Sequence, residues 1–412
     1  MENLVLKNSI KKDLLHTKRY ILFWFSSLFS NIGTWMQQVA QPWLILSTGH
    51  SSFWVGLDSF LMNAPAWIFT LPGGFLADRF DRKKIVLLCQ SLQFICILSL
   101  LIFLIVGKIK IWIILVSSLI IGITDSLSMP AFQSIIPSLV AKERLSKAVA
   151  LNSIQFNLSR ILGPGFAGVL IAAYGVAICY GINLLSFVPF FMSLYFIYPK
   201  YKIKEKMITA SSKKNSTKSE FKELIDGHNN LAPLLTVLVT GIFCGPILTF
   251  CPSMVKEFFH GGIREIGWSM TSFGLGGVIG GIMASAVINK MSESDFFPNI
   301  VALILTVIVF FLNWSTTLFV FNIFLFMIGM FLTLTNISCN TNLQKRILDS
   351  SRGKIVSLFQ MALHTGISVG SLLTGTLSVH FGIKSTIIIN GTLAFITQAF
   401  LIYFRYRRGD NG

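Results

Sequence analysis

Apolar runs of about twenty residues recur along the whole 412-residue chain, separated by short polar or charged stretches. A run of that length lets a helix cross a bilayer, and backbone inside lipid must satisfy its own hydrogen bonds, so helices are the form these runs can take. Twelve spans are expected, near 20–46, 52–77, 85–106, 111–135, 148–173, 176–198, 231–255, 264–289, 296–313, 316–342, 355–379 and 383–404. With 53% hydrophobic and 12% charged residues, the composition is that of an all-α integral membrane protein. Lys11, Lys12, Lys18 and Arg19 precede the first run, which is too long for a signal peptide and has no small-residue cleavage site after it. It reads as a retained first span.

The formal net charge of +17 would suggest a nucleic-acid partner in a soluble protein, so the position of the cations decides. Of 34 Lys and Arg, twenty-eight fall in the termini and in the loops after even-numbered spans. Five (Lys108, Lys110, Lys256, Arg264 and Lys384) fall in the opposite loops, and Arg160 lies within a span. This asymmetry follows the positive-inside rule, which places both termini in the cytoplasm and the chain in the cytoplasmic (inner) membrane. The basic balance is topology, and no nucleic acid is expected as partner. The six cysteines all lie in or at the ends of apolar runs, where they act as small hydrophobes. No His or Cys spacing suits a metal, no cofactor motif occurs, and neither a G-x-S-x-G elbow nor a P-loop is present, so enzyme chemistry has no seat.

Polar residues inside the spans are the candidates for function, because they are costly against lipid. In the first span Asn31, Trp35, Gln38 and Pro42 share one helical face, which either lines a cavity or holds neighbouring helices by hydrogen bonds. Asp58 lies near the outer start of span two. Asp125 in span four and Arg160 in span five sit about 21 Å and 18 Å from the opposite ends of a path of about 36 Å, so their depths match. A pair, direct or bridged by water, is expected there, serving either transport or helix packing. In the second half Thr333, Asn336 and Asn340 share a face of span ten, and His364 lies about a third of the way up span eleven. That histidine reads either as a proton carrier or as a packed hydrogen-bonder.

Span two ends at Pro72, Gly73 and Gly74 and runs into Asp78, Arg79, Asp81, Arg82, Lys83 and Lys84. Asp78 opposes the positive-inside rule and so needs a partner. Span five carries Gly163, Pro164, Gly165 and Gly168, where a missing backbone donor and small side chains allow bending and close packing. Residues 199–230, with eight lysines and a Ser/Thr/Asn-rich centre, read as a cytoplasmic linker with a short amphipathic helix near Phe221–Ile225. It separates an N-terminal bundle, 1–198, from a C-terminal one, 231–412. A shift of 207 residues superposes Gly73, Gly74, Gly122, Gly163, Gly168 and Gly175 on Gly280, Gly281, Gly329, Gly370, Gly375 and Gly382, a parallel repeat. Asp78 and Arg160 fall on Ser285 and Ile367, so the charges are not repeated.

The Gly74–Lys84 loop resembles the G-x-L-A-D-R-x-G/D-R-K signature of the major facilitator superfamily, and Gly163, Pro164 and Gly168 resemble its antiporter motif G-P-x-x-G. Together with the Asn31–Gln38 run and Pro130-Ala131-Phe132-Gln133, they look most like the branch of the enterobactin exporter and the macrolide efflux pumps. The resemblance implies two six-helix bundles that rock about a cavity lined by spans one, four, seven and ten. It implies proton-coupled export of a small organic metabolite, a siderophore first and a drug second, by a monomer in the lipid bilayer. Asp125 is then the first candidate proton carrier, with Asp58 and His364 behind it, and Arg160 its modulator or the counter-ion of an anionic substrate. Gly74, Asp78, Arg79 and Arg82 would form a latch at the cytoplasmic end. An importer of the same fold is the nearest alternative, and a membrane sensor or membrane-embedded enzyme the alternative from another class.

Overall fold

The computed structural model describes residues 2–140, 144–197, 231–291, 296–345 and 352–407. The linker at 199–230, with its expected short helix, lies outside them. Before the linker come α1 (Glu2–Ser47), α2 (Ser52–Asn63), α3 (Ala66–Arg79), α4 (Arg82–Ile105), α5 (Ile111–Leu139), α6 (Leu145–Tyr174) and α7 (Ala177–Ile197). After it come α8 (Leu231–Phe243), α9 (Pro246–Phe259), α10 (Ile263–Met291), α11 (Phe297–Phe311), a 3-10 turn (Leu312–Trp314), α12 (Leu318–Lys345) and α13 (Arg352–Arg407).

The spans follow from local chemistry. Span two is split where Pro65, which has no amide hydrogen, starts α3, and span seven is split at Gly245-Pro246. Asp81 starts α4 by accepting the Lys83 backbone N–H at 2.9 Å. Ten stretches among the described residues are long and apolar enough to cross a membrane. The last covers 51 residues and is broken at Gly382, whose φ of 73° no helix contains, so it supplies two crossings. With α1, whose amides lower its hydropathy, the twelve expected spans are accounted for.

The repeated glycines do the same work in both halves. Gly73 and Gly280 each let the backbone of a neighbouring span, α5 and α12 respectively, come against a bare Cα. Gly122 meets α2 and Gly329 meets α10. Gly163 lies on α1 and Gly370 on α8, while Gly74 and Gly281 both face open space. Gly175 and Gly382 both take a left-handed φ, 80° and 73°, at the end of a span. A shared environment at each of these positions is what a structural repeat requires, as the glycine spacing leads one to expect.

The two helix groups meet along two seams. In one, α2 and α3 pack on α13, with Gly56 against Gly375, Ser59 Oγ donating to Ser371 Oγ at 2.9 Å, and Trp67 Nε1 donating to Ser368 Oγ at 3.2 Å. In the other, α6 packs on α10, with a Cβ at Gly168 placed 2.9 Å from Gly267 Cα, and Thr271 Oγ1 donating to Ile161 O at 3.4 Å. At the end of the molecule carrying the 48–51 turn, Ser52 and Ser253 hydroxyls lie 3.1 Å apart, and Lys256 Nζ donates to Leu46 O at 3.5 Å. Of the helices that reach the Asp78 end, α5 of one group and α12 of the other are not packed on each other among the described residues, whereas α1 packs on α9 at the far end. The groups are therefore joined at the far end and apart at the Asp78 end.

A candidate substrate site between the helix groups

Arg160 stands where α6 leaves the seam. Its Cζ lies 5.7 Å from the ring of Trp35 on α1 and 4.8 Å from the ring of Phe273 on α10, so both groups present an aromatic face to one cation. Pro164, four residues on, has no N–H to give the Arg160 carbonyl, and a Cβ at Gly274 would sit 2.8 Å from that oxygen. The proline thus frees a carbonyl at the point where a bare glycine of the other group approaches. Gly163 faces inward to α1, whereas Gly165 and Gly168 face outward to Thr271 and Gly267. The Gly-Pro motif therefore holds both sides of α6.

Asp125 and Arg160 do not form the direct pair expected from their depths. Asp125 accepts from Gln93 Nε2 of α4 at 2.7 Å, and Gln93 also donates to Thr124 Oγ1 at 3.1 Å. Asp125 is exposed, whereas its partner Gln93 is buried. Arg160 keeps a buried Nε with no hydrogen-bond partner among the described residues. Matching depth alone does not bring two spans' side chains together; the rotation of each helix has to agree as well, and here α5 turns its acid towards α4.

Asp58 is 5% exposed and enclosed within the first group. Gln41 Nε2 lies 2.9 Å from both of its oxygens, and the Ser118 hydroxyl donates to one of them. The chain continues through Gln37, whose Nε2 donates to Gln41 Oε1 at 3.2 Å, and Asn183, whose Nδ2 donates to Gln37 Oε1 at 2.6 Å. Four helices, α1, α2, α5 and α7, are tied by this row of side chains. Span one thus has two polar faces. Gln37 and Gln41 are buried and paired, while Asn31, Trp35 and Gln38 are partly exposed, as a cavity lining would be.

On α12 Asn340 accepts from Gln344 Nε2 at 3.0 Å, and Asn336 keeps a buried Oδ1 with no partner among the described residues. His364 lies in the α2/α13 seam, its Nδ1 3.0 Å from Asn63 Oδ1. Asn63 Nδ2 donates to Ser59 O at 2.9 Å, which fixes its oxygen towards the ring, so Nδ1 carries the hydrogen. At the open end Asp78 is exposed and unpaired among the described residues. Arg82 turns away from it, its Nε donating to Ala77 O at 3.2 Å and its Nη1 to Ser134 O at 3.3 Å, and Arg79 stacks 4.0 Å from the Phe75 ring. The described residues hold no His, Cys, Asp or Glu group suited to a metal.

Comparison with known proteins places these features. The chain is 25% identical over 401 residues to the staphyloferrin A transporter of Staphylococcus aureus, covering 94% of this chain and 96% of that one. It is 33% identical over 144 residues to the enterobactin exporter EntS of Salmonella typhi, which is 35% of each chain. Among solved structures it resembles a bacterial homologue of the human lysosomal transporter Spinster, inward-facing and unoccupied (TM-score 0.76, 13% identity, 94% and 96% of the two chains). It also resembles a bacterial homologue of ferroportin in an inward-facing state (TM-score 0.71, 16% identity, 94% and 98%). Residues 14–412 match the family described as transmembrane secretion effector. Members of that family are transporters and not enzymes. With its fold, its glycine repeat and this match in agreement, the chain belongs to the major facilitator superfamily, in the transmembrane secretion effector family.

Proposed function

We propose that the chain exports a small organic metabolite across the cytoplasmic membrane in exchange for protons, with a siderophore as the favoured cargo and a drug second. The observation that carries this reading is the seam itself, joined at the far end, parted at the Asp78 end, and holding Arg160 where the two regions meet. The charge asymmetry of the loops makes the parted end cytoplasmic, with both termini there, so this conformation takes its cargo from inside. Residues 1–198 and 231–412 act as the two rocking units and 199–230 as their tether, in a monomer. The names of two relatives, a staphyloferrin A transporter and an enterobactin exporter, support the cargo class.

Coupling needs a group that binds a proton and is cleared of it in alternation with the cargo. Asp125 suits this, since it is exposed and is held by one neutral donor, Gln93. Asp58, closed off behind Gln41 and Ser118, cannot exchange a proton until the helices around it move. Inverted vesicles containing the protein should release protons only when cargo is supplied, and Asp125→Asn should abolish that release. Normal proton-coupled transport by Asp125→Asn would remove the carrier assignment. An importer is separated by a deletion strain, which should retain the metabolite rather than lack it.

A further inference from the structure

Arginine presents a planar fork of five N–H donors and stays charged under all physiological conditions. Arg160 satisfies little of that capacity. Its Nε is buried without a partner, no described carboxylate forms an ion pair with it, and the acid at matching depth is engaged with Gln93. The rings of Trp35 and Phe273 fix the guanidinium without using its donors, because they meet its charge and not its edge. Gly277 packs against that edge without a side chain of its own. A Cβ there would lie 3.1 Å from Arg160 Nη1 and also 3.1 Å from Thr333 Oγ1, so the two groups stand within about 6 Å of each other, near enough for one carboxylate to reach both. The Thr333 hydroxyl makes no hydrogen bond among the described residues. One turn on, the buried Asn336 oxygen has no donor either.

The geometry points to an oxyanion subsite. We propose that Arg160 and Thr333 bind a carboxylate of the cargo across Gly277, while Asn336 accepts from a hydroxyl or amide of the same molecule. The proposal rests on the reading of the seam as the cargo site and deepens it, since it makes a negative charge a requirement for recognition. It also gives Arg160 a role in the cycle. When the parted end closes, an empty site would seal an unpaired cation away from water, whereas a bound carboxylate neutralises it.

The test uses the full chain in phosphatidylcholine nanodiscs, where no anionic headgroup competes, and follows Tm against concentration for benzoate and its neutral isostere benzamide. For the unaltered protein, half-saturation should need at least about tenfold less benzoate than benzamide. Arg160→Gln should erase that difference, Thr333→Val should reduce it, and Arg160→Lys should keep only part of it, because a point charge lacks the bidentate fork. Equal response to both probes, no response to benzoate, or a benzoate preference that survives Arg160→Gln would overturn the proposal. The comparison on the unaltered protein needs no variant, so poor folding of Arg160→Gln does not block it. Binding is read without reference to direction or protons. A benzoate preference without cargo-driven proton release therefore sinks the export reading alone, and unchanged export by Arg160→Gln sinks the subsite alone.

Discussion

Two membrane carboxylates, Asp58 and Asp125, differ in what would follow from losing a neighbour. Asp58 depends on the neutral donors Gln41 and Ser118 inside a sealed pocket, so removing the amide leaves a buried acid short of hydrogen bonds. Gln41→Leu should therefore cost about 2–3 kcal/mol in stability, read as a lowered Tm in detergent, whereas Asp58→Asn, which still hydrogen-bonds, should cost less. Equal losses for the two would mean that the row from Asp58 to Asn183 does not act as a unit. Asp125 is exposed rather than enclosed, so Gln93→Leu should change transport while leaving Tm within about 1 kcal/mol of the parent protein. Both acids could be singled out from the sequence as rare charges in apolar runs. Their partners could not, because Gln41 and Gln93 become neighbours only through the rotation of α1 and α4, which no short-range pattern sets. The signals that were available are modest: Gln37 and Gln41 are spaced by one helical turn, and Gln93 is one of two glutamines, with Gln90, in a largely apolar span.

Glycines divide the helices into faces that can approach and faces that must slide. At the α6/α10 seam Gly168 and Gly267 leave no room, since a Cβ on the first would stand 2.9 Å from the Cα of the second. Gly168→Leu should wedge this seam and shift the molecule away from the conformation parted at the Asp78 end. Cysteine labelling from each side of the membrane would register the shift, and unchanged labelling would show that the seam is not a pivot. Gly74→Ala meets nothing within 4 Å and should leave this conformation undisturbed. The spans themselves were legible from hydropathy, and the repeat from the spacing of glycines, because both properties lie along the chain. The aromatic cage of Arg160 was not legible, because Phe273 comes from the other helix group and reaches the cation only through the packing of α6 on α10.

For the molecule as a whole, the exposed Asp78 fits a latch in its released state. With Arg82 turned onto the carbonyls of Ala77 and Ser134, the acid is free to meet the other helix group only once the parted end closes. Asp78→Asn should therefore slow turnover severalfold while cargo affinity stays within about twofold, the pattern of a changed equilibrium rather than a changed site. A fall in affinity alone would assign Asp78 to binding. The six duplicated glycine environments bear on the same motion from another direction. They give the two halves matching contact faces, while Asp58, Asp125 and Arg160 belong to one half only. On the proton coupling proposed above, the molecule has matched levers and a single motor. Joining two copies of the C-terminal half should give a protein that still rocks between its two shapes but runs idle, dissipating no proton gradient and carrying no cargo uphill.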